Sequence, residues 1–564
     1  MKEHNLYDLL GDERKHLQEI GEAPEWLTTG GYQLLKEKYL DKNQTPKERF
    51  QIIAKTAAQY LPDSHIWESR FFQLFWNNWL SPSTPVLANM GTKKGLPVSC
   101  SGSVIGDSVD SFYSSLHEAA MLTKNGFGTS AYLGNIRPRG SVIASGGIAA
   151  GVLPVFEDFV IMTRKISQGS TRRGAWAGYI EADHPDVDEL IHFIENNPDD
   201  ANIGWIITDK FIEELDKGNQ DYITRYQKIM KMKMVQGKGY FDFIDKSNAL
   251  RPKMYVDKGL YVKAKQLCNE IVLMSDEEHT YSCTLSSMNL VRWDEWKDTD
   301  AVFWATVFLD CVVEDFLRNA RGIPGLEKII RFTEKSRPVG LGAMGFHSYL
   351  QKNMFPFDSV EAAMFNDEAF SHMHSESLRA TQWMAKELGE PEWCVGYGVR
   401  NTHRMAVAPT KSTAILMGGW SEGINPDPAM VYTQLTSSGE VDRINPFLLE
   451  IMKDRNVYNK ATIKSLVATQ GSVQHVTWLS EHEKEVFKPA FEINQEVILQ
   501  LASARQMYID QGQSLNLFFG ADEDEGYISY IHELAMRDPF ILGLYYVYSK
   551  AGVTASKGEC VSCM

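Results

Sequence analysis

The residues best suited to chemistry are cysteines, and one of them has a carboxylate and an amide close by in sequence. Cys268 lies between Gln266 and Glu270 at spacings of two residues. If this segment is extended, the three side chains point to one face. A thiol, a carboxylate and an amide in one pocket could abstract a hydrogen atom and move a proton on and off a hydroxyl group. Two more thiols, Cys100 and Cys283, flank the segment at a distance.

A Cys-x-x-Cys pair, Cys560 and Cys563, lies at the end of the sequence, after a run of small and polar residues. We expect residues 551–564 to form a flexible arm, because nothing in their composition could build a core. A mobile dithiol of this kind can reach into a pocket and exchange disulfides there. The sequence therefore predicts redox chemistry in a reducing, cytoplasmic setting.

Composition excludes several classes of function. The 564 residues are 43% hydrophobic and carry a net charge of −16, which argues against polymeric nucleic acid as a partner. The N-terminal residues have no apolar signal-peptide region. The most apolar long stretch, 301–316, is interrupted by Asp310 and Glu314 and is too short to cross a bilayer. We therefore expect a globular protein with no membrane partner.

The elements that must position these residues divide the chain into three parts. Residues 1–80 are predicted to be helical, with one helix starting at Pro24 and another at Pro46 behind an N-cap at Thr45. Residues 81–550 alternate β-like runs, such as 141–144, with amphipathic helices, such as 188–195. Residues 551–564 form the arm.

A cluster of hydroxyl side chains in residues 408–413 predicts an anion site. Thr410, Ser412 and Thr413 could donate hydrogen bonds, and Lys411 adds positive charge. If Pro409 starts a helix, free backbone N–H groups would also point at the anion. The alternative is a plain helix cap.

Other patterns are better explained by ordinary structure. Residues 340–345 spell the dinucleotide fingerprint G-x-G-x-x-G, but no convincing strand precedes them. Residues 117–121 contain half a zinc-protease motif, and residues 368–374 contain a glutamate and two histidines without a matching second pair. All three are expected to be ordinary helix faces, and no metal site is predicted. No role can be argued for Cys311 or Cys394.

Taken in chain order, these segments resemble the catalytic (large) subunit of ribonucleotide reductases, most closely class I. The resemblance covers most of the chain and rests on the active-site segment around Cys268, the Cys283-Thr-Leu-Ser motif and the 408–413 loop. Further matching segments are Thr84-Pro85, Ser99-Cys100, residues 106–108, 135–141 and 167–174, the pair Tyr545-Tyr546 and the terminal cysteine pair.

The resemblance implies a ten-stranded α/β barrel of two half-sheets, with the radical cysteine on a finger loop inside. It also implies that Cys268 becomes a thiyl radical that takes the 3′-hydrogen of a ribonucleotide while Glu270 acts as base on the 3′-hydroxyl. The products would be deoxyribonucleotides for DNA replication. The family usually has Asn at the position of Gln266, whose longer amide could still bind the substrate hydroxyls.

The other cysteines would supply the electrons. By resemblance, Cys100 and Cys283 end as a disulfide, which requires Cα atoms about 4.4–6.8 Å apart. Cys560 and Cys563 would reduce that disulfide, and thioredoxin or glutaredoxin would restore the pair.

The radical would come from a separate small subunit with a di-iron or di-manganese centre, passing through Tyr546 and Tyr545. The chain has no paired Glu-x-x-His constellation for such a centre of its own. Two alternatives stay open: a class II enzyme using adenosylcobalamin, and a dithiol oxidoreductase or redox-regulated binding protein whose only chemistry is the terminal pair.

The resemblance also implies two nucleotide sites and a homodimer. Substrate, with a diphosphate expected over a triphosphate, would bind at Thr84, Ser99, Gln266, Glu270, Pro409, Thr410, Lys411, Ser412 and Thr413. Deoxynucleotide or ATP effectors would bind at Asp107, Ser108, Arg137, Ser167, Gln168, Arg172 and Arg173. The N-terminal region looks too short for the ATP-binding cap of many relatives, so we expect no dATP inhibition through such a cap.

Overall fold

The computed structural model describes residues 6–166, 174–198, 201–436 and 439–549. Four helices precede the first strand: α1 (Leu6–Glu19), α2 (Thr29–Lys38), α3 (Pro46–Ala58) and α4 (Ser64–Trp76). The predicted start of α3 is confirmed by a capping box. The Thr45 side chain accepts from the Glu48 N–H, and the Glu48 side chain accepts from the Thr45 N–H. The start predicted at Pro24 is wrong. Residues 24–27 form a turn, and Thr28 caps the helix instead.

Thirteen strands are present in the described residues. They are β1 (Leu80–Pro82), β2 (Cys100–Val104), β3 (Gly128–Tyr132), β4 (Trp176–Glu181), β5 (Ile203–Ile206), β6 (Tyr240–Asp242), β7 (Tyr281–Asn289), β8 (Val339–Met344), β9 (Val431–Thr436), β10 (Gly439–Ile444), β11 (Leu517–Phe519), β12 (Gly543–Leu544) and β13 (Val547–Ser549).

The remaining helices cover and connect these strands. They are α5 (Thr84–Asn89), α6 (Val109–Lys124), α7 (Leu153–Lys165), α8 (Val187–Asn196), α9 (Asp209–Asp216), α10 (Gln220–Gln236), α11 (Ile244–Ala249), α12 (Lys253–Lys258), α13 (Trp293–Trp296), α14 (Ala301–Ala320), α15 (Glu327–Ser336), α16 (Phe346–Lys352), α17 (Val360–Leu388), α18 (Lys411–Leu416), α19 (Pro446–Asp454), α20 (Lys460–Ala468), α21 (Glu481–Val486), α22 (Gln495–Gln506) and α23 (Glu525–Arg537).

The first half of the sheet is built from parallel strands. β2 to β6 lie side by side in sequence order, all parallel, and a helical connection separates each strand from the next. Parallel neighbours need such crossovers, which is why short strands and amphipathic helices alternate in this part of the sequence. β12 closes this half by pairing antiparallel with β6.

The second half of the sheet starts from β7. β7 pairs antiparallel with β1 and β2 and parallel with β8. Single bridges, Leu341 to Met405 and Val407 to Gln513, carry the pairing beyond β8. The paired sheet therefore contains nine strands in the described residues rather than the predicted ten, because the outer segments join it through isolated bridges.

Helix α14 is the apolar stretch noted in the sequence, and it is buried against β7 and β8. Two of the three carboxylates that interrupt it are ion-paired: Asp310 contacts Arg337 and Arg400 at 3.0 and 2.8 Å, and Glu314 contacts Arg337 at 3.0 Å. Burial alone would raise the pKa of Asp310, but the two guanidinium groups lower it to about 2. Among the described residues, no helix is long and apolar enough to cross a membrane.

Two local expectations need correction. The β-like run at 141–144 is a loop with a single bridge, Val142 to Ile148, and both side chains are exposed. The G-x-G-x-x-G residues were expected on a helix face but form strand β8 itself. There, a Cβ on Gly342 would lie 2.5 Å from the Ala406 carbonyl oxygen, so glycine is needed for the close approach of two backbones. The helix predicted at 188–195 is confirmed as α8.

Candidate active site

A loop between α12 and β7 carries the segment around Cys268 into the interior of the barrel. On one side the loop is held by the parallel half-sheet. The Ser130 hydroxyl on β3 donates to the Lys265 carbonyl at 3.0 Å, and the Tyr179 hydroxyl on β4 donates to the Gln266 carbonyl at 2.7 Å. Both donors are buried, so these hydrogen bonds fix the loop where water cannot compete.

On the other side, the loop is held by residues 511–514, which belong to the second half of the sheet. The Gly512 N–H donates to the Glu270 carbonyl at 2.7 Å. The Ser514 hydroxyl lies 2.7 Å from the Cys268 carbonyl oxygen and 3.1 Å from Glu270 Oε2. The loop therefore lies between the two half-sheets and contacts both.

The tip of this loop is a turn and not the extended segment assumed from the sequence. The Asn269 N–H donates to the Gln266 carbonyl at 3.0 Å, and Asn269 has a positive φ of 69°. The turn brings the Gln266 amide to Glu270 Oε2, to which it donates. The amide and the carboxylate thus meet across the base of the turn, and the buried Cys268 lies within it.

Cys100 and Cys283 face each other across an antiparallel strand pair. They are register partners on β2 and β7, and both are buried cysteines. Directly opposite residues in such a pair have Cα atoms about 4.5–5.5 Å apart, which is within the span of a disulfide. Burial raises the pKa of the Cys283 thiol, and Gln511 Nε2 lies 3.5 Å from its sulfur.

A buried ion pair lies beside the loop. Lys265 Nζ is 3.4 Å from Asp242 Oδ1 on β6, and neither side chain has any exposure. Burial raises the pKa of Asp242 and lowers the pKa of Lys265, each offset in part by the charge of its partner. Lys265 also donates to the Leu542 carbonyl, so it ties the loop to the start of β12.

Tyr545 and Tyr546 lie next to one another between β12 and β13. Their ring centroids are 4.2 Å apart, and the Tyr240 ring on β6 lies 4.9 Å from Tyr545 and 5.6 Å from Tyr546. Tyr545 is buried, in the same apolar cluster as Cys268, and Tyr546 is half-buried against that cluster.

The anion-site expectation at 408–413 needs a correction. The helix starts at Lys411, two residues after Pro409, because Thr410 has a positive φ of 50° that α-helical backbone excludes. The Thr410 hydroxyl accepts from the Gly423 N–H at 2.8 Å, and the Thr413 hydroxyl donates to the Thr410 carbonyl at 3.1 Å. Ser412 is buried on the first turn, and Lys411 is half-buried.

The other two candidate substrate residues border the cysteine strands. Thr84 is the first residue of α5, directly after β1, whose partner is β7. Ser99 is buried immediately before Cys100. Both therefore lie next to the strands that carry the cysteine pair.

Two of the candidate effector residues, Asp107 and Arg137, are thirty positions apart in sequence but in contact in the structure. Arg137 Nε contacts Asp107 Oδ2 at 2.5 Å, and the Arg137 N–H donates to Asp107 Oδ1 at 3.3 Å. Ser108 caps α6 through the Ser111 N–H. The other calls on this site and on the redox arm lie outside the described residues: Ser167, Gln168, Arg172, Arg173, Cys560 and Cys563.

Sequence reasoning missed residues that hold the site, among them Ser130, Tyr179, Asp242, Lys265, Gln511 and Ser514. The only signal available for the last two was the alternation of polar and small or apolar residues in 511–516, which is buried and not surface-exposed. Nothing in the sequence distinguishes such a buried polar segment from an exposed loop.

Comparison with known proteins agrees with this geometry. The model of the ribonucleotide reductase barrel domain matches residues 98–227, 225–394 and 391–539, and the model of the all-alpha domain matches residues 25–95. The chain therefore belongs to the ribonucleotide reductase family. The predicted enzyme class, an oxidoreductase of deoxyribonucleotide synthesis, and the predicted barrel fold are confirmed, and a simple dithiol oxidoreductase is excluded.

Individual relatives favour the large-subunit reading. A Frog virus 3 (isolate Goorha) protein assigned as a ribonucleoside-diphosphate reductase large subunit is 34% identical over 85% of this chain and 87% of its own length. The solved class Id ribonucleotide reductase alpha subunit of Actinobacillus ureae superposes with a TM-score of 0.87 at 35% identity, covering 96% of this chain and 99% of that chain. A vitamin B12-dependent enzyme of Thermoplasma acidophilum is 29% identical, but the match spans 62% of that protein.

Proposed function

We propose that the chain reduces ribonucleoside diphosphates to 2′-deoxyribonucleoside diphosphates by thiyl-radical chemistry, as the large subunit of a class I enzyme. The observation that carries the proposal is the placement of three thiols in one barrel. Cys100 and Cys283 are register partners on β2 and β7, and the loop held between the half-sheets carries Cys268 and Glu270 into the same interior.

The first steps use the loop residues. The Cys268 thiyl radical takes the hydrogen atom from C3′, so that an S–H bond forms and a C3′ radical remains. Glu270 takes the 3′-hydroxyl proton, and its hydrogen bonds from Gln266 and Ser514 hold the carboxylate in place for that transfer. The amide of Gln266 is already bound to Glu270 in the structure, which supports a role in orienting the base.

The next steps use the strand pair. The C2′–O bond breaks, and the 2′-hydroxyl leaves as water after protonation. Cys100 and Cys283 together give two electrons and two protons and become a disulfide, and Cys268 returns its hydrogen atom to C3′ and is again a thiyl radical. The facing register of the pair supports this role, because the disulfide can form without breaking the strand ladder.

Regeneration requires a second dithiol. We infer that Cys560 and Cys563 attack the Cys100–Cys283 disulfide, and that thioredoxin or glutaredoxin then reduces the terminal pair. Because disulfide exchange conserves two electrons in each step, one external dithiol is consumed for each deoxynucleotide made.

The radical is proposed to enter from a small subunit that carries a di-iron or di-manganese centre. The contact of the Tyr545 and Tyr546 rings at 4.2 Å supports a path by which an electron and a proton leave Cys268 outward as the oxidising equivalent moves inward. The class Id alpha subunit that this chain resembles favours a partner subunit over adenosylcobalamin.

Substrate phosphates are proposed to bind at the start of α18, at Pro409, Thr410, Lys411, Ser412 and Thr413. Effector deoxynucleotides or ATP would bind near Asp107 and Arg137 at the interface of a homodimer. The ion pair between these two residues supports a preformed site, because it links the start of α6 to the loop after β3.

The test is a reconstitution with the full chain, thioredoxin and each radical source. We expect deoxynucleotide from diphosphate substrates with a di-iron or di-manganese small subunit. Product with adenosylcobalamin alone would assign the class II mechanism, and product from triphosphates only would overturn the substrate assignment. No product with any radical source, from a chain that binds nucleotide, would overturn the function.

A further inference from the structure

A third tyrosine continues the line of rings at Tyr545 and Tyr546. Tyr548 lies on β13, and its ring centroid is 5.7 Å from that of Tyr546. Tyr546 immediately precedes this strand, and residues two apart in extended backbone point to the same face, so the two rings are neighbours. Three phenol rings therefore follow one another at centroid separations of 4.2 and 5.7 Å.

The burial of these rings falls along the line. Tyr545 has 1% of its surface exposed, whereas Tyr546 and Tyr548 are half-buried. The inner end lies in the apolar cluster that contains Cys268, and the outer end lies on the short sheet of β11 and β13. The line thus runs from the barrel interior towards the surface.

Backbone pairing fixes the spacing of the rings. β13 runs parallel to β11, with Tyr548 in register with Phe518, and the Val547 N–H donates to the Gly237 carbonyl at 3.1 Å. The Tyr548 ring stacks on Phe518 with centroids 5.1 Å apart and an interplanar angle of 12°. Strand pairing holds the Tyr548 backbone and stacking holds its ring, so the distance between the Tyr548 and Tyr546 rings is fixed. The rate of electron transfer between the rings depends on that distance.

We propose that Tyr548 is the outermost relay residue of this chain and receives the oxidising equivalent from the partner subunit before Tyr546. This inference rests on the proposed function, since it needs the radical-generating subunit as the oxidant. In the step itself, the Tyr546 O–H bond breaks and the Tyr548 O–H bond forms. The Tyr548 phenoxyl radical is reduced by one electron and one proton, and the Tyr546 phenol is oxidised by the same amount.

The competing explanation is that Tyr548 only packs against Phe518. That explanation needs the ring and not the hydroxyl, because stacking is a property of the aromatic face. A phenylalanine ring at position 548 would preserve the stack, but it has no O–H bond to give up and is far harder to oxidise than a phenol. The two explanations therefore make opposite predictions for a single conservative substitution.

The experiment compares Tyr548→Phe with Tyr546→Phe and with Tyr530→Phe, a control on an exposed tyrosine of α23. Each full-length variant is assayed with the small subunit, substrate, effector and thioredoxin. We expect Tyr548→Phe to lose turnover by at least 100-fold at unchanged melting temperature, as for Tyr546→Phe, while the control keeps full activity. In parallel, 3-aminotyrosine at position 548 should give an aminotyrosyl radical in the electron paramagnetic resonance spectrum on mixing.

Each other outcome decides against the proposal. Full activity of Tyr548→Phe with an inactive Tyr546→Phe would show that the radical enters at Tyr546, and the proposed function would stand. An inactive Tyr548→Phe with no aminotyrosyl radical at 548 would make the residue a docking contact and not a relay. Full activity of both variants would overturn the tyrosine path of the proposed function as well.

Discussion

The two groups of buried cysteines in this barrel are positioned by different means. Cys100 and Cys283 are placed by strand register, so backbone hydrogen bonds that any sequence could make bring them face to face. Cys268 lies in a turn, and side-chain hydroxyls of Tyr179 and Ser514 hold the carbonyls of Gln266 and Cys268. The disulfide pair thus depends on the sheet, and the candidate radical site depends on particular side chains.

Different buried charges also support the two groups. Asp310 is paired with two arginines, and Arg337 leads directly into β8, the neighbour of the Cys283 strand. Beside the loop, Lys265 is ion-paired with Asp242, and burial lowers the pKa of Lys265 and raises the pKa of Asp242. The strand region is therefore anchored by a carboxylate between two guanidinium groups, whereas the loop region is anchored by one lysine–aspartate pair.

The largest effect is expected at the candidate radical site. Replacing Cys268 with Ser should reduce deoxynucleotide formation to background, because a serine O–H bond is too strong for the radical to reach. Nucleotide binding, measured by calorimetry, should stay nearly unchanged. The matched control is Cys311→Ala, a buried thiol on α14, which should keep turnover. Measurable product from the Cys268→Ser variant would contradict the assignment.

The strand pair and the terminal pair should separate in single-turnover experiments. Cys560→Ser with Cys563→Ser should stop multiple turnovers with thioredoxin but leave about one turnover per prereduced chain, because the Cys100 and Cys283 dithiol is already loaded. Cys283→Ser should abolish even that first turnover. Equal losses in the two variants, measured by rapid quench, would show that the pairs do not act in sequence.

A smaller effect should follow from loosening the loop without touching its chemistry. Tyr179→Phe removes the 2.7 Å hydrogen bond to the Gln266 carbonyl. A buried carbonyl left unsatisfied costs about 1–3 kcal/mol, so we expect kcat to fall by about tenfold or more with KM little changed. Tyr222→Phe, which removes a hydroxyl contact to Asp183 outside the barrel interior, should leave kcat unchanged. An unaltered kcat in Tyr179→Phe would show that the loop needs no such support.

The smallest effect concerns acid stability of the strand region. The folded pKa of Asp310 is about 2, below its ordinary value of 3.8. A lowered carboxyl pKa stabilises the folded state above the ordinary value, and that contribution is lost as the pH falls from about 4 towards 2. The lost stability is about 2 kcal/mol. Urea unfolding should therefore show wild type losing more stability than Asp310→Asn between pH 5 and pH 2.5, and equal losses would contradict the pairing.

The sequence was a good guide where local chemistry decides structure. Thr45 and Glu48 form the capping box that starts α3, and the amphipathic pattern of 188–195 gives α8. Predictions from the sequence failed where contacts with residues far away in the chain decide the local structure. The turn at Cys268 depends on hydroxyls from β4 and from residues 511–514, and strand β8 packs closely against the backbone of Ala406.

By itself, the sequence determined the types of reactive group, their order along the chain and, through their resemblance to a known family, the class of reaction. Those properties are local, because a thiol or a hydroxyl is present wherever its residue is written. Only the tertiary structure decided which groups meet: Cys100 with Cys283 through strand register, Tyr179 with the Gln266 carbonyl, and Ser514 with the Cys268 carbonyl. Such meetings depend on pairing between segments far apart in sequence, and no periodicity within one segment encodes its partner.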